Sequence, residues 1–426
     1  MAYADFLATK KRNLEPSGVN IACGAINPKL HDWQNAITEW ALNRGRAAIF
    51  ADCGLGKTFM QLEWARLIGE RCLIVAPLSV ARQTVNEAVK LDMKVTYARS
   101  ENEAPSTGIT ITNYEMLAHF DLARWPAVVL DESSILKNVD GTTRKQLTQQ
   151  TRTVPYRLAC TATPAPNDVS ELCNHAEFVG ALPRNEMLAA FFVHDDTGWR
   201  PKGHAIDRMY EWMANWSVSL RNPADLGWDG SDYVLPSLRV TPEVVDVEIE
   251  SEGQLFATDL GGIGGRSKVR RETLGARVER TVDLIDHDDQ VIVWCGLNAE
   301  AESVESHVDD AVNVEGSWTP ERKADALEAF QNGDIRVLVT KPKIAGFGMN
   351  FQNCHRMVFL GLSDSWESYY QSIRRCWRFG QTKAVDARVV VSDIEQQIVH
   401  NIRHKEAQAA HTANALARYS HVRKTQ

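Results

Sequence analysis

Ala51-Asp52-Cys53-Gly54-Leu55-Gly56-Lys57-Thr58 joins an apolar run to a helical pattern. Glycines let backbone N–H groups turn inward, and a helix start behind them favours an anion, so such a loop cradles phosphates. Gly54, Leu55 and Gly56 would form the cradle, Lys57 would reach the β- and γ-phosphates, and Thr58 would ligate magnesium. The leading glycine of the common pattern is Ala51 here. Far along the chain, Gln371-Ser372-Ile373-Arg374-Arg375-Cys376-Trp377-Arg378 offers guanidinium groups. Arg375 and Arg378 fall three apart on a predicted helix, which puts them on one face. Arginine suits phosphate because its charge is permanent and its donors form a fork. A triphosphate held by one domain and met by arginines from another can convert hydrolysis into movement between domains.

Val128-Val129-Leu130-Asp131-Glu132 ends a second apolar run. An acidic pair at the C-terminal end of a buried strand lies at the ligand-binding edge of a doubly wound sheet. Asp131 can hold magnesium, directly or through water, and Glu132 can orient or deprotonate an attacking water. Alone, such a pair more often caps the next helix. The phosphate loop upstream gives it a second role.

These residues need a parallel sheet to position them. Apolar runs begin at Ala47, Leu73, Ile109, Val128 and Arg157 in the first half, and at Val291, Val312, Val337, Met357 and Arg388 in the second. Their apolarity is continuous rather than alternating, which suits strands covered on both faces. Helical patterns fill 57–69, 79–91, 298–309, 319–331 and 366–379, and Thr319-Pro320 supplies a cap followed by proline at the first helical position. The expected fold is α/β, with two doubly wound parallel-sheet lobes. Lobe 1 spans 1–185, a mostly helical connector with a glycine hinge 186–265, lobe 2 266–395, and a basic helical tail 396–426.

The chain has 426 residues, 44% hydrophobic and 24% charged, with a net charge of −8. That balance argues against wholesale coating of nucleic acid but leaves room for a local basic groove. Eight cysteines with no C-x-x-C pair read as reduced core thiols rather than a zinc site. No basic-then-apolar leader and no membrane-length apolar run occur, so the expectation is a cytoplasmic protein without a membrane partner.

Motif by motif, residues 30–392 resemble superfamily-two helicases, and most closely the Swi/Snf-type DNA-translocating ATPases. Leu30-His31-Asp32-Trp33-Gln34 is similar to the adenine-reading motif, with Gln34 on the base. The loop from Ala51 to Thr58 fits the family's A-x-x-G-x-G-K-T form. Val75-Ala76-Pro77-Leu78-Ser79 and Thr112-Asn113-Tyr114-Glu115 resemble strand-tracking motifs. Asp131-Glu132-Ser133-Ser134 with Lys137-Asn138 resembles the D-E-x-H…K-N box, and Thr161-Ala162-Thr163-Pro164 the coupling motif. Gly346-Phe347-Gly348-Met349-Asn350 resembles G-x-G-L-N, while Gln371, Arg375, Arg378, Gly380 and Gln381 fit Q-x-x-x-R-x-x-R-x-G-Q.

The resemblance implies two RecA-like lobes, ATP and Mg2+ as cofactors, and Gln371 beside the nucleotide. It implies Ser79, Thr112, Asn113 and Asn350 on a nucleic-acid backbone, and Thr161 and Thr163 as the coupling pair. The expected partner is nucleic acid, double-stranded DNA first, with a separate nuclease or other DNA-processing chain as a further one. Three departures stand out. Ser134 replaces the usual histidine, the tryptophan-asparagine-proline before the last motif gives way to Asp364-Ser365-Trp366-Glu367, and the connector is short.

The activity this implies is ATP-dependent translocation on DNA. RNA or strand-separating helicase activity is the alternative enzyme, and a nucleotide-switched DNA-binding scaffold the alternative class. The stretch Arg266, Lys268, Arg270, Arg271, Arg277, Arg280 is as consistent with a duplex grip as with a solvated helix face. The connector tryptophans suit a small core between the lobes better than base stacking.

Overall fold

The apolar runs form strands covered on both faces. The computed structural model describes residues 14–22, 24–137, 141–196, 198–245, 271–285, 287–345, 350–363, 365–422 and 424. The chain divides into two units, Met1–Val234 with Ala407–Gln426, and Leu235–Glu406.

In the first unit the strands are β1 Arg46–Ala51, β2 Cys72–Ala76, β3 Val95–Tyr97, β4 Ile109–Asn113, β5 Ala127–Asp131 and β6 Tyr156–Cys160. A hairpin of β7 Phe192–Asp195 and β8 Gly198–Pro201 follows, then β9 Ser217–Leu220. The main sheet runs β3-β4-β2-β5-β6-β1-β9, and its pairings are all parallel. The helices are α1 Asp32–Arg44, α2 Lys57–Leu67, α3 Leu78–Lys90, α4 Thr142–Gln150, α5 Leu172–Val179, α6 Arg184–Phe191 and α7 Ile206–Met213. In β2, β4 and β5 every residue is buried. Parallel strands sandwiched between helix layers require that pattern.

In the second unit β10 Leu238–Val245, β11 Val291–Cys295, β12 Ala311–Asn313, β13 Val337–Thr340, β14 Arg356–Leu360 and β15 Val385–Ser392 form a parallel sheet in the order β10-β15-β14-β11-β13-β12. Its helices are α8 Leu274–Ile285, α9 Asn298–His307, α10 Pro320–Asn332, the short α11 Pro342–Ala345, and α12 Trp366–Cys376. Thr319 caps α10 as expected, its Oγ1 accepting from Arg322 N at 3.3 Å. The last helix, α13 Gln396–Tyr419, has its residues from Ala407 onward in the first unit. There Leu416 joins the apolar core, and the hydroxyls of Tyr210 and Thr412 meet at 3.5 Å.

The connector is more than helix in its described part. Besides α6 and α7 it donates β9 to the first sheet and β10 to the second. Neither strand reads as a continuous apolar run. In β9 the Ser217 hydroxyl is satisfied by donating to Met213 O at 2.9 Å, so a Ser-Val-Ser-Leu sequence can be fully buried. β10 is an edge strand, where Pro242 is tolerated and Glu243 accepts from Arg280 and Arg388 at 2.7 Å each. Trp212 and Trp216 join the main core of the first unit rather than a separate small core, and Trp199 is exposed. The glycine run 261–265 lies outside the described residues.

The basic stretch divides. Arg266, Lys268 and Arg270 lie outside the described residues. Arg277 is fully buried, donating to Glu300 at 2.9 Å and to Thr273 Oγ1 at 3.0 Å. For Arg277 this excludes the duplex grip and the solvated face alike. An arginine at helix spacing with other basic residues was turned inward by a carboxylate that the same unit supplies.

Candidate nucleotide site and nucleic-acid contacts

Three strand ends of the first unit bring its candidate residues together. Because β6 lies between β5 and β1, the ends bearing the acidic pair, Thr161 and the phosphate loop stand side by side. Thr161 N donates to Ile49 O at 3.2 Å, tying the middle strand to the loop's own strand.

The loop turns on Gly54 and Gly56, with φ of +87° and +70°. That left-handed region is open to glycine and strained for other residues. A Cβ on Gly56 would lie 2.3 Å from Gln34 Nε2. Gln34 is itself fixed. Its Nε2 donates to Leu55 O at 3.2 Å, and its Oε1 accepts from His31 N at 2.9 Å as part of the cap of α1. Gln34 and the phosphate loop are therefore one packed unit. Gly56→Ala should strain the backbone and displace Gln34 together. The expected loss of ATP affinity is about tenfold or more, equivalent to roughly 1–2 kcal/mol. Titration with a fluorescent ATP analogue checks it, and unchanged affinity would show the contact to be dispensable.

Lys57 begins α2, and its Nζ donates to Ala51 O at 2.8 Å and Asp52 O at 3.3 Å. Thr58 is half-buried in the next position. Asp131 is 3% exposed, and its two oxygens accept from Gln61 Nε2 at 2.9 Å and from Glu132 N at 3.0 Å. Burial raises its carboxyl above the usual range, against the Gln61 hydrogen bond and the Lys57 charge. A divalent cation would restore the ionised form. Thr58 and Asp131 offer hard oxygen donors, the set magnesium takes. The residues therefore fit a magnesium nucleotide.

Glu132 has a φ of +51°. A non-glycine residue there is uncommon and costs of order 1–3 kcal/mol, so its surroundings must hold it. Thr161 Oγ1 donates to Glu132 Oε2 at 3.5 Å, and Thr163 N donates to Thr161 Oγ1 at 3.1 Å. Thr161 and Thr163 are thus linked to the acidic pair. Tyr114 Oη donates to Asp131 O at 2.7 Å. Burial, then the nearby Asp131 and Glu132 charges, push that phenol far up. Gln61 and Tyr114 were not singled out as site residues from sequence. Gln61 lies one turn beyond Lys57 on α2, which is the only signal that could have found it.

The strand-contact candidates fall in different environments. Ser79 is exposed in the first turn of α3. Thr112 is fully buried. Asn113 is 3% exposed, with its side chain accepting from Tyr97 Oη at 2.8 Å and donating to Glu115 at 2.5 Å. Asn350 Oδ1 accepts from Arg378 Nη1, and Asn350 O accepts from Gln331 Nε2 at 2.6 Å. The preceding motif residues 346–349, and Asn138 of the acidic box, lie outside the described residues.

In the second unit, Ser365 caps α12 by accepting from Ser368 N at 3.2 Å. Gln371 is 2% exposed, and neither end of its amide has a hydrogen-bond partner. A buried unpaired amide is costly and marks a place where a ligand atom is expected. Arg375 Nε donates to Gln371 O at 3.2 Å. The helix stops at Cys376, which corrects the shared-face argument: Arg378 lies in the following turn. That turn is set by Gly380 at φ +92° and by Gln381 Nε2, which donates to Gln352 O, Cys354 O and Cys376 O.

His175, on α5, was also not singled out. It is 1% exposed, its Nε2 is 3.1 Å from Ser133 Oγ, and Phe50 packs edge-on at 5.2 Å. Burial pushes the imidazole down to about 4, against the backbone groups of Glu171 and Ser133. The unfolded chain takes up this proton near pH 6.5, whereas the folded chain refuses it until about pH 4. This contribution to stability is complete above pH 6.5 and is lost as pH falls towards 4, by roughly 3 kcal/mol. Urea unfolding at pH 7 and pH 4.5 should register it. His175→Gln should lose that part of the acid sensitivity.

A sequence profile of the SNF2-related domain matches residues 26–187, and one of the helicase conserved C-terminal domain matches residues 276–380. Together with the site, these define a helicase-type, nucleic-acid-dependent ATPase of superfamily two. Within that class the chain belongs to the Snf2-type ATPases. Members of this family use ATP. Among solved structures, the Sulfolobus solfataricus SWI2/SNF2 ATPase core in complex with dsDNA is similar, with 18% identity over 93% of this chain and 96% of that one and a TM-score of 0.45. No curated protein matches the chain. Among the described residues, no helix is long and apolar enough to cross a membrane.

Proposed function

We propose that the chain is a motor that uses ATP to move along duplex DNA. The observation that carries this reading is the strained Glu132 at the end of β5, joined through Thr161 to the segment that follows β6, beside a glycine phosphate loop packed on Gln34. A simple nucleotide holder needs the loop but not that link.

Magnesium ATP supplies the phosphoanhydride bond and a charge on which its oxygens are neutralised. Lys57 exchanges its two loop carbonyls for phosphate oxygens. Thr58 and Asp131 hold the cation. Glu132 orients the attacking water and accepts its proton at the carboxylate. In the second unit, Arg375, Arg378 and the Gln371 amide supply donors suited to phosphate oxygens. Thr161 and Thr163 report the change at Glu132 to the segment that follows them. Ser79 contacts a strand phosphate, which positions DNA without reading its sequence.

ATP hydrolysis titrated with duplex DNA, single-stranded DNA and RNA, at one fixed salt concentration, tests the reading. Salt is fixed because phosphate-driven affinity depends steeply on it. Duplex DNA should give the largest stimulation. Stimulation by RNA or single strands alone would favour a strand-separating or RNA helicase. Hydrolysis indifferent to every nucleic acid would favour a switch and contradict the motor.

A further inference from the structure

One buried ionisable group plays no part in the chemistry above. His175 lies on α5, a few residues beyond the coupling segment, and reaches back to the acidic box. Its neighbour does the same: Asn174 Nδ2 donates to Leu136 O at 2.9 Å. Both side chains therefore grip Ser133–Lys137, the single 3-10 turn that leaves Glu132. At the other end of the same stretch, Thr161 holds the Glu132 carboxylate. One continuous segment, 161–175, thus touches the Glu132 carboxylate near one end and the turn that follows Glu132 at the other.

Glu132 needs such a hold because its backbone is left-handed. The position where the family carries a histidine is Ser134, whose Oγ only donates back to Glu132 O at 3.4 Å. An imidazole has nevertheless been delivered to the box, from another helix and to the adjacent residue. Ser133 is fully buried, so the pair is shielded from competing water. We propose that His175, through Ser133, is the positioning residue that sets the Glu132 carboxylate for hydrolysis and ties it to the coupling segment, in place of the box histidine that this chain lacks.

The imidazole works as a neutral hydrogen-bonding group. It does not touch nucleotide, so its removal should leave ATP binding alone and slow the chemical step. The inference rests on Glu132 being the water-orienting residue.

Ser133→Ala and His175→Ala should each lower DNA-stimulated kcat by about tenfold, the equivalent of one net hydrogen bond of about 1.4 kcal/mol, with the KM for ATP within about twofold of wild type. The double variant should be no slower than the worse single one, because the two residues form one link. His175→Gln, which can still pair with Ser133, should recover most of the rate. Ser133→Ala removes only a hydroxyl and guards against a folding failure of His175→Ala, with thermal unfolding recorded for both. A purely structural role predicts lower melting temperature with unchanged kcat in the folded fraction, and that outcome overturns the proposal. So does full additivity in the double variant. If wild type hydrolyses ATP and Glu132→Gln does not, while Ser133→Ala is unaffected, only this inference fails. If Glu132→Gln is itself active, the proposed chemistry fails first.

Discussion

Glu132→Gln should cut ATP turnover by ~10²–10⁴-fold, the usual contribution of a positioned general base. The substitution keeps the size and shape of the side chain and removes only its charge and basicity. Thr161 can still donate to the remaining carbonyl oxygen, so the link at 3.5 Å need not be lost. The phosphate loop, Lys57 and Gln34 are untouched. Nucleotide should therefore still bind, and the variant should accumulate as an ATP-loaded protein. Phosphate release and fluorescent-nucleotide binding, measured side by side, separate the two effects. Turnover near the wild-type rate would place the base elsewhere.

Arg378→Ala should be at least as damaging. An arginine that meets the transferring phosphoryl group is worth ~10³–10⁵ in rate in related chemistry. Arg378→Lys should recover little of it, because a point charge does not reproduce the fork. The turn itself should survive. Gln381 fixes it through three carbonyl groups and Gly380 provides its left-handed corner, while the Arg378 hydrogen bond to Asn350 goes with the side chain. Loss of activity with an unchanged melting profile is thus the expected signature. Wild-type hydrolysis in Arg378→Ala would remove the second unit from the chemistry.

Much of the fold could be read from the sequence because parallel strands leave a simple mark. Ile109–Asn113 and Val337–Thr340 are buried on both faces and carry no alternation to confuse them with edge strands. Among the strands that escaped, β9 and β10 carry polar or charged residues whose partners lie outside the strand itself. β9 needs Met213 to satisfy Ser217, and β10 needs Arg280 and Arg388 to answer Glu243. The site divides in the same way. The phosphate loop and the acidic pair are contiguous, so their residue types announce themselves. Gln61, Tyr114 and His175 act across gaps of 70, 17 and 42 residues, and no local pattern predicts which glutamine, tyrosine or histidine the sheet will bring round. Arg277 shows the converse: its spacing suggested a basic face, and a buried Glu300 decided otherwise.

The central claim is that hydrolysis drives movement along duplex DNA, and displacement of a third strand from a triplex placed ahead of the protein measures it most directly. The wild-type chain with ATP and magnesium should release the third strand, while Glu132→Gln, or a non-hydrolysable nucleotide, should leave it bound. Rapid duplex-stimulated hydrolysis with the triplex intact over the same interval would contradict the account.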